Sequence, residues 1–329
     1  MESVKNYQSN YLITKMYEQA FALKADSLNI SKLHGGLKNA VYLIDDGLMK
    51  CVLKIASNNE KTIIYVDRNT FWWEIKMLKL MEKVNIPSPK LLYYDDSLTL
   101  CNSPYFFMTY IDGENYLKCK ELLSEEEKRH IEYQIGLYSY EITKIKMPNF
   151  YSPSFPQKKF NSNYDFMYFL FEKLIQNGLE NHCKAVIEQK NEILNILKKY
   201  KNELNDKVKI KLCHTDIWDG NILIKGDKVI GIVDFSDLYV CDELMTFYFH
   251  TIDGVISSSF LEGYNQIELN TNEKIRIEIY RMYVILKMIV DCCLKKYGDF
   301  DWMYKNLNDR ITNLKEFYNN FNGRKNERI

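Results

Sequence analysis

The sequence predicts an α+β chain of two lobes, a small β-rich N-terminal lobe and a larger, mainly helical C-terminal lobe. Short apolar runs rich in β-branched and aromatic residues gather in the first third, at 41–44, 51–56, 90–94 and 104–111. From Ser124 onward apolar residues recur at helical spacing, interrupted by three further short runs between 210 and 235. At 329 residues the chain exceeds one typical core, so two packed units are expected, 1–109 and 110–329, divided within the fourth run.

The segment Leu33-His34-Gly35-Gly36-Leu37-Lys38-Asn39-Ala40-Val41-Tyr42-Leu43-Ile44 joins a glycine pair to an alternating strand. Two glycines can take positive φ and let backbone N–H groups approach a phosphate, although Gly-Gly is also a common hairpin turn. In the strand 51–56 that follows, Lys54 shares a face with Val52 and Ala56. The helix pattern at 71–81 carries Glu74 in the stripe Phe71, Glu74, Ile75 and Leu78. A lysine and a glutamate each set among apolar residues are expected to pair. At about 4 Å and an effective dielectric near 20 their attraction is roughly 4 kcal/mol before desolvation. Pro87 and Pro89 end the helix and a strand restarts near Leu91. The run from Pro104 to Gly113 reads as a last strand whose Tyr105, Phe107 and Met108 are core residues.

Ser124 and Glu127 form a capping-box signal, followed at helical spacing by Ile131, Ile135, Tyr138, Ile142 and Ile145. Further helices are expected at 164–177 and 181–200, then at 242–252, 257–264, 272–296 and 302–321, with a frayed tail after Gly323. Between them lie strands at 210–213, 222–224 and 229–235, the last two joined by the turn signal Lys225-Gly226-Asp227-Lys228. This arrangement sets His214-Thr215-Asp216-Ile217-Trp218-Asp219-Gly220-Asn221 directly after one strand and Asp234 at the end of another. An aspartate, an asparagine five residues on and a second aspartate beyond a hairpin supply what phosphoryl transfer needs, an oriented hydroxyl and oxygen ligands for metal ions. The same residue types also cap tight turns.

The motif resembles the catalytic loop and metal-binding aspartate of kinase-fold enzymes, in the form typical of the aminoglycoside phosphotransferase and choline kinase-like family. Protein kinases carry the same Asp-to-Asn interval. The resemblance implies a protein-kinase-like fold, with Asp216 as catalytic base, Asn221 and Asp234 as Mg²⁺ ligands and His214 bracing the loop. It further implies a nucleotide loop at Gly35, Gly36 and Asn39, Lys54 on the α- and β-phosphates paired with Glu74, and a hinge from Met108 through Tyr110 to Ile111 that holds the base. Asp242 looks like the family's aspartate that supports the catalytic loop from the start of the next helix; a simple helix-terminal charge is the alternative reading. Thr215 stands where the family usually has Gly, and Ser236 where protein kinases have Gly. Neither departure removes a reacting group.

Zero formal charge and the lack of a long basic run argue against nucleic acid as the main partner. With no signal segment and no run of about 18 apolar residues, a cytoplasmic protein without membrane association is expected. The eight cysteines, none in a Cys-x-x-Cys arrangement, read as reduced and mostly buried, with Cys292-Cys293 as packing residues. The implied activity is ATP- or GTP-dependent, Mg²⁺-assisted O-phosphorylation of a small hydroxyl-bearing acceptor, as in aminoglycoside phosphotransferases. A metabolic kinase for choline, ethanolamine, homoserine or a sugar, and a non-catalytic scaffold related to spore-coat proteins, are the alternatives. Asp219, Asp237, Asp242, Glu243, Asp253 and Glu262 could attract a polyamine, and Trp218, Tyr239, Phe247, Tyr248 and Trp302 could cage a quaternary amine.

Overall fold

The computed structural model describes residues 5–25, 27–33, 38–247, 256–266, 268–296 and 301–326, the last without side chains beyond Phe317. In chain order its elements are α1 (Asn10–Phe21), β1 (Asn29–Lys32), β2 (Ala40–Asp45), β3 (Lys50–Ile55), α2 (Thr70–Met81), β4 (Leu91–Asp95), β5 (Tyr105–Thr109), β6 (Glu114–Asn115) and α3 (Tyr116–Cys119). There follow α4 (Glu125–Thr143), α5 (Asn163–Glu180), α6 (Lys184–Lys199), α7 (Lys201–Asn205), β7 (Ile210–His214), β8 (Ile222–Lys225), β9 (Lys228–Ile232) and β10 (Leu238–Asp242). Helices α8 (Ser258–Gly263), α9 (Thr271–Lys295) and α10 (Asp301–Asn326) complete the order.

The chain forms two compact units, and they interleave instead of meeting at the single boundary after residue 109 suggested by sequence. The first comprises 1–63, 69–123 and 219–236, and the second 64–68, 124–218 and 237–329. The physical reason lies in strand pairing. The β8–β9 hairpin pairs through β8 with β6, Glu114 opposite Ile224, and so joins the first unit despite its late place in the chain.

The first unit is built on a five-stranded antiparallel sheet of order β1-β2-β3-β5-β4. Strand alternation divides β3 between two environments. Cys51, Leu53 and Ile55 join Tyr42, Ile44, Tyr105 and Phe107 in a core closed by Ile13, Met16 and Tyr17 of α1. Val52 and Lys54 therefore point to the opposite face. There Phe106, the cross-strand partner of Lys54, packs tilted against Phe71 of α2, with ring centres 5.1 Å apart. The apolar stripe of α2 is thus laid on the face that carries the lysine.

The second unit is mainly helical and contains the two-stranded β7-β10 ladder. The expected capping box at Ser124 and Glu127 is present in both halves. Helix α9 is buried almost all round, and its buried cations and the half-buried Lys287 are each paired: Arg276 with Asp242, Arg281 with Glu278, Lys287 with Asp67 and Asp237, and Lys295 with Asp291. Helices α4 and α8 approach closely through Gly136 and Gly263; a Cβ on Gly263 would stand 2.0 Å from the Tyr133 carbonyl oxygen. One sequence expectation changes here. The helix expected from Asp242 gives way to strand β10, which ends at Asp242, and a 3₁₀ turn from Glu243 to Thr246; residues 248–255 lie outside the described residues. β10 is buried at all five positions and so lacks the alternation that marks a strand in sequence. Cys293, read as a packing residue with Cys292, is a free thiol whose Sγ lies 2.8 Å from that of Cys183, the N-cap of α6. No described helix is long and apolar enough to cross a membrane.

Candidate active site

In the first unit three chemistry-bearing side chains converge. Lys54 Nζ lies 2.7 Å from Glu74 Oε2 and 3.0 Å from Asp234 Oδ1. Lys54 and Glu74 are buried, whereas a third of the Asp234 side chain stays accessible. Burial alone would push the Lys54 ammonium down, but the Asp234 and Glu74 carboxylates outweigh it and hold it above its usual value. At Glu74 burial wins over the attraction of Lys54, and the carboxyl rises to about 7. Burial opposes ionisation of Asp234 too, yet Lys54, Lys38 and the Ser236 hydroxyl pull it below the usual carboxylate range.

Asp234 sits two residues past the end of β9, with a left-handed φ of 63°, so it belongs to a turn and not to the strand expected through 235. Aspartate tolerates that conformation better than most residues with a Cβ. Asn221 directly precedes β8, and its carbonyl accepts the Val233 N–H at 3.0 Å, which holds the peptide chain beside Asp234 next to Asn221. The turn before it is secured from β6 and from the residue after α3: Asn115 Nδ2 donates to the Gly220 carbonyl at 2.7 Å, and Lys120 pairs with Asp219 at 2.9 Å. Met108 lies within the ladder opposite Val52 and Leu91, while Tyr110 and Ile111 follow the strand end. Asn39 lies immediately before β2; Gly35 and Gly36 lie outside the described residues. Sequence reasoning missed Lys38, whose charge acts on both Glu74 and Asp234. A lysine beside the glycine pair and Asn39 was the available signal.

In the second unit His214 closes β7, buried, and the Asp216 N–H donates to its Nδ1 at 3.2 Å. Thr215 donates twice to the Asp237 carbonyl, from its N–H at 2.9 Å and its Oγ1 at 2.7 Å. The residue that departs from the family's glycine therefore ties the loop to the start of β10. Asp242 is sealed from solvent, and its Oδ2 accepts from Arg276 Nε at 2.8 Å and from Tyr280 at 2.7 Å, so it anchors α9 to β10. Burial pushes its carboxyl up in spite of the arginine.

Most of the possible acceptor contacts are already committed. Asp219 pairs with Lys120, Asp237 with Lys287, Asp242 with Arg276 and Glu243 with Lys209, while Asp253 lies outside the described residues. Glu262 is exposed. Of the aromatic candidates Tyr239 and Phe247 are core residues, Trp218 and Trp302 are exposed, and Tyr248 lies outside the described residues.

The sequence profile of the phosphotransferase enzyme family matches residues 29–273. No curated protein matches the sequence significantly. Among solved structures, a candidate fructosamine-3-kinase from Haemophilus somnus 129PT is similar with a TM-score of 0.67 at 17% identity, covering 92% of this chain and 96% of its own. The GDP and kanamycin complex of APH(2")-IIIa gives 0.65 at 14% identity over 94% and 98% of the two chains. The streptomycin–ATP complex of APH(2")-IIa gives 0.60 at 17% over 94% and 97%. At such identities the likeness shows the fold, a protein-kinase-like α+β fold with a five-stranded antiparallel N-terminal sheet and a mainly helical C-terminal part.

Proposed function

The chain belongs to the phosphotransferase enzyme family, and from that footing we propose that it is a small-molecule kinase that moves the γ-phosphoryl group of ATP or GTP onto an acceptor hydroxyl with Mg²⁺. The observation that carries this reading is the Lys54 ammonium shared by buried Glu74 and partly accessible Asp234. Fixing a lysine between two carboxylates holds its charge at one point, where it can meet the α- and β-phosphates. Asp216 orients the acceptor hydroxyl and takes its proton, with its peptide set by His214. Met108, Tyr110 and Ile111 hold the base, and Gly35, Gly36 and Asn39 the phosphates. The similar structures include one with ATP and one with GDP, so both purines are kept. A nucleoside triphosphate donor fits a cytoplasmic location.

Asn221 and Asp234 suit Mg²⁺ by their donor chemistry, an amide oxygen and an ionised carboxylate, since Mg²⁺ takes few protein ligands and keeps waters and phosphate oxygens. When bound, the ion neutralises charge on the transferred group.

The acceptor is better read as a neutral or weakly cationic hydroxyl compound of the sugar class than as a polyamine. Four carboxylates that could have drawn a polycation are paired internally, with Lys120, Lys287, Arg276 and Lys209, although Asp237 shares Lys287 with Asp67. The similarity to a candidate fructosamine-3-kinase is in keeping with this. Mg²⁺-dependent ADP and GDP release, measured with aminoglycosides, choline, homoserine and sugars, tests both parts. Release stimulated by a sugar-type compound is expected. Stimulation only by aminoglycosides would reverse the acceptor class, and nucleotide binding without release for any acceptor would favour the scaffold.

A further inference from the structure

Between β3 and α2 the chain leaves the first unit for five residues, 64–68, which pack as part of the second. This short strap is held at its three central residues. The Tyr65 N–H donates to Asn177 Oδ1 at 2.8 Å. The Val66 carbonyl accepts from Ser154 Oγ at 2.6 Å and from the Tyr239 hydroxyl at 3.0 Å. Asp67, buried, meets Lys287 Nζ of α9 at 2.8 Å. Two residues later Asn69 turns with a φ of 62° into α2, the helix of Glu74.

The same ammonium reaches Asp237 at 3.3 Å from each carboxylate oxygen. Asp237 is the residue whose carbonyl receives both hydrogen bonds of Thr215, the neighbour of Asp216, and it follows Asp234 by three positions. One half-buried cation thus holds the peptide that enters the Glu74 helix and the peptide that fixes the Asp216 loop. Burial would lower the Lys287 ammonium, but Asp237 and Asp67 keep it well above its usual value, so it remains charged.

We infer that Lys287 is a positioning residue for phosphoryl transfer, clamping Asp67 and Asp237 so that the strap before α2 and the Thr215–Asp216 peptide keep one geometry. The inference rests on the phosphotransferase reading above. Its physical basis is that two carboxylates this close repel once their shared cation is gone, and a displacement of about 1 Å at a reacting group can cost on the order of 10²-fold in rate.

The test uses the full chain with Lys287→Met, Lys287→Arg and the charge-free triple variant Asp67→Asn, Lys287→Met, Asp237→Asn. Amide hydrogen exchange reads the clamp without reference to activity. Exchange at Thr215 and across 64–68 should quicken about 10-fold or more in Lys287→Met, while the β3 amides keep their protection. ADP release from Mg²⁺-ATP should show kcat lowered by about 10–100-fold with nucleotide KM changed by less than about 3-fold, a split that general destabilisation does not give. Arginine, which keeps the charge and can engage two carboxylates, should restore most of both. A folded Lys287→Met protein with wild-type exchange at Thr215, or with wild-type kcat, overturns the inference. If Lys287→Met does not fold, the triple variant decides by the same two readings, because it leaves no uncompensated charge. A wild type that releases neither ADP nor GDP would instead sink the phosphotransferase reading, and the exchange pattern would still show whether the clamp exists.

Discussion

Lys54 and Glu74 form an ion pair at 2.7 Å in which both members are almost fully buried, 6% and 1% exposed. The pairing follows from strand and helix periodicity. Lys54 points away from the α1 core because its neighbours Leu53 and Ile55 point into it, and Glu74 lies on the inner stripe of α2 with Phe71 and Leu78. Removing one partner from such a pair leaves an uncompensated charge, whereas the intact pair contributes little net stability. The more accessible Asp234 is the third member of this arrangement, and its exposure is in keeping with the phosphate-binding role proposed above.

Lys54→Ala is expected to lower stability by about 3–5 kcal/mol, since Glu74 and Asp234 lose their shared cation. It should also weaken nucleotide use. Chemical denaturation and nucleotide titration of the variant check this, and wild-type affinity together with wild-type turnover would remove Lys54 from the site.

Glu74 provides a pH signature. Its carboxyl stands at about 7 in the folded chain against a usual 4.5, so folding favours the protonated form. The corresponding stability is fully present below about pH 4.5 and is lost as pH rises to about 7, in total on the order of 1–3 kcal/mol. Compared with Glu74→Gln, which cannot titrate there, the wild type should lose stability across that window and run parallel to the variant above it. Parallel curves from pH 4 to pH 8 would contradict the raised carboxyl.

Asn221→Ala and Asp234→Ala should each impair Mg²⁺-supported turnover, Asp234 the more, because it brings formal charge to a hard cation. Raising Mg²⁺ should partly rescue Asn221→Ala and hardly rescue Asp234→Ala. Turnover as a function of Mg²⁺ distinguishes them, and an unchanged dependence in both would place the metal elsewhere.

Long periodic elements were legible in the sequence, and α4, α5, α9 and α10 lie close to where apolar spacing put them. The Lys54–Glu74 pair could be read because strand and helix periods each turned a charge inward. Helix α1 was missed, although Ser9 caps it and Ile13, Met16 and Tyr17 mark its inner face; twelve residues without acidic or basic end signals stood out little. The interleaving of the units was not legible because it depends on non-local pairings, β6 with β8 and Asp67 with Lys287, that leave no local pattern. The commitment of Asp219, Asp237, Asp242 and Glu243 to internal cations was hidden for the same reason.

Asp216→Asn separates catalysis from scaffold most sharply. The Asp216 backbone, not its side chain, makes the bond to His214, and Thr215 holds the loop to Asp237, so replacing the carboxylate by an amide of similar size leaves these contacts in place. The fold should persist and nucleotide should still bind. A positioned acid–base group contributes about 10²–10⁴-fold to rate, so turnover should fall by at least about 10²-fold with little change in nucleotide affinity. Single-turnover phosphoryl transfer and nucleotide titration on the same preparation measure the two quantities. A folded Asp216→Asn protein with undiminished transfer would refute the role of Asp216, and the base would then have to come from another residue.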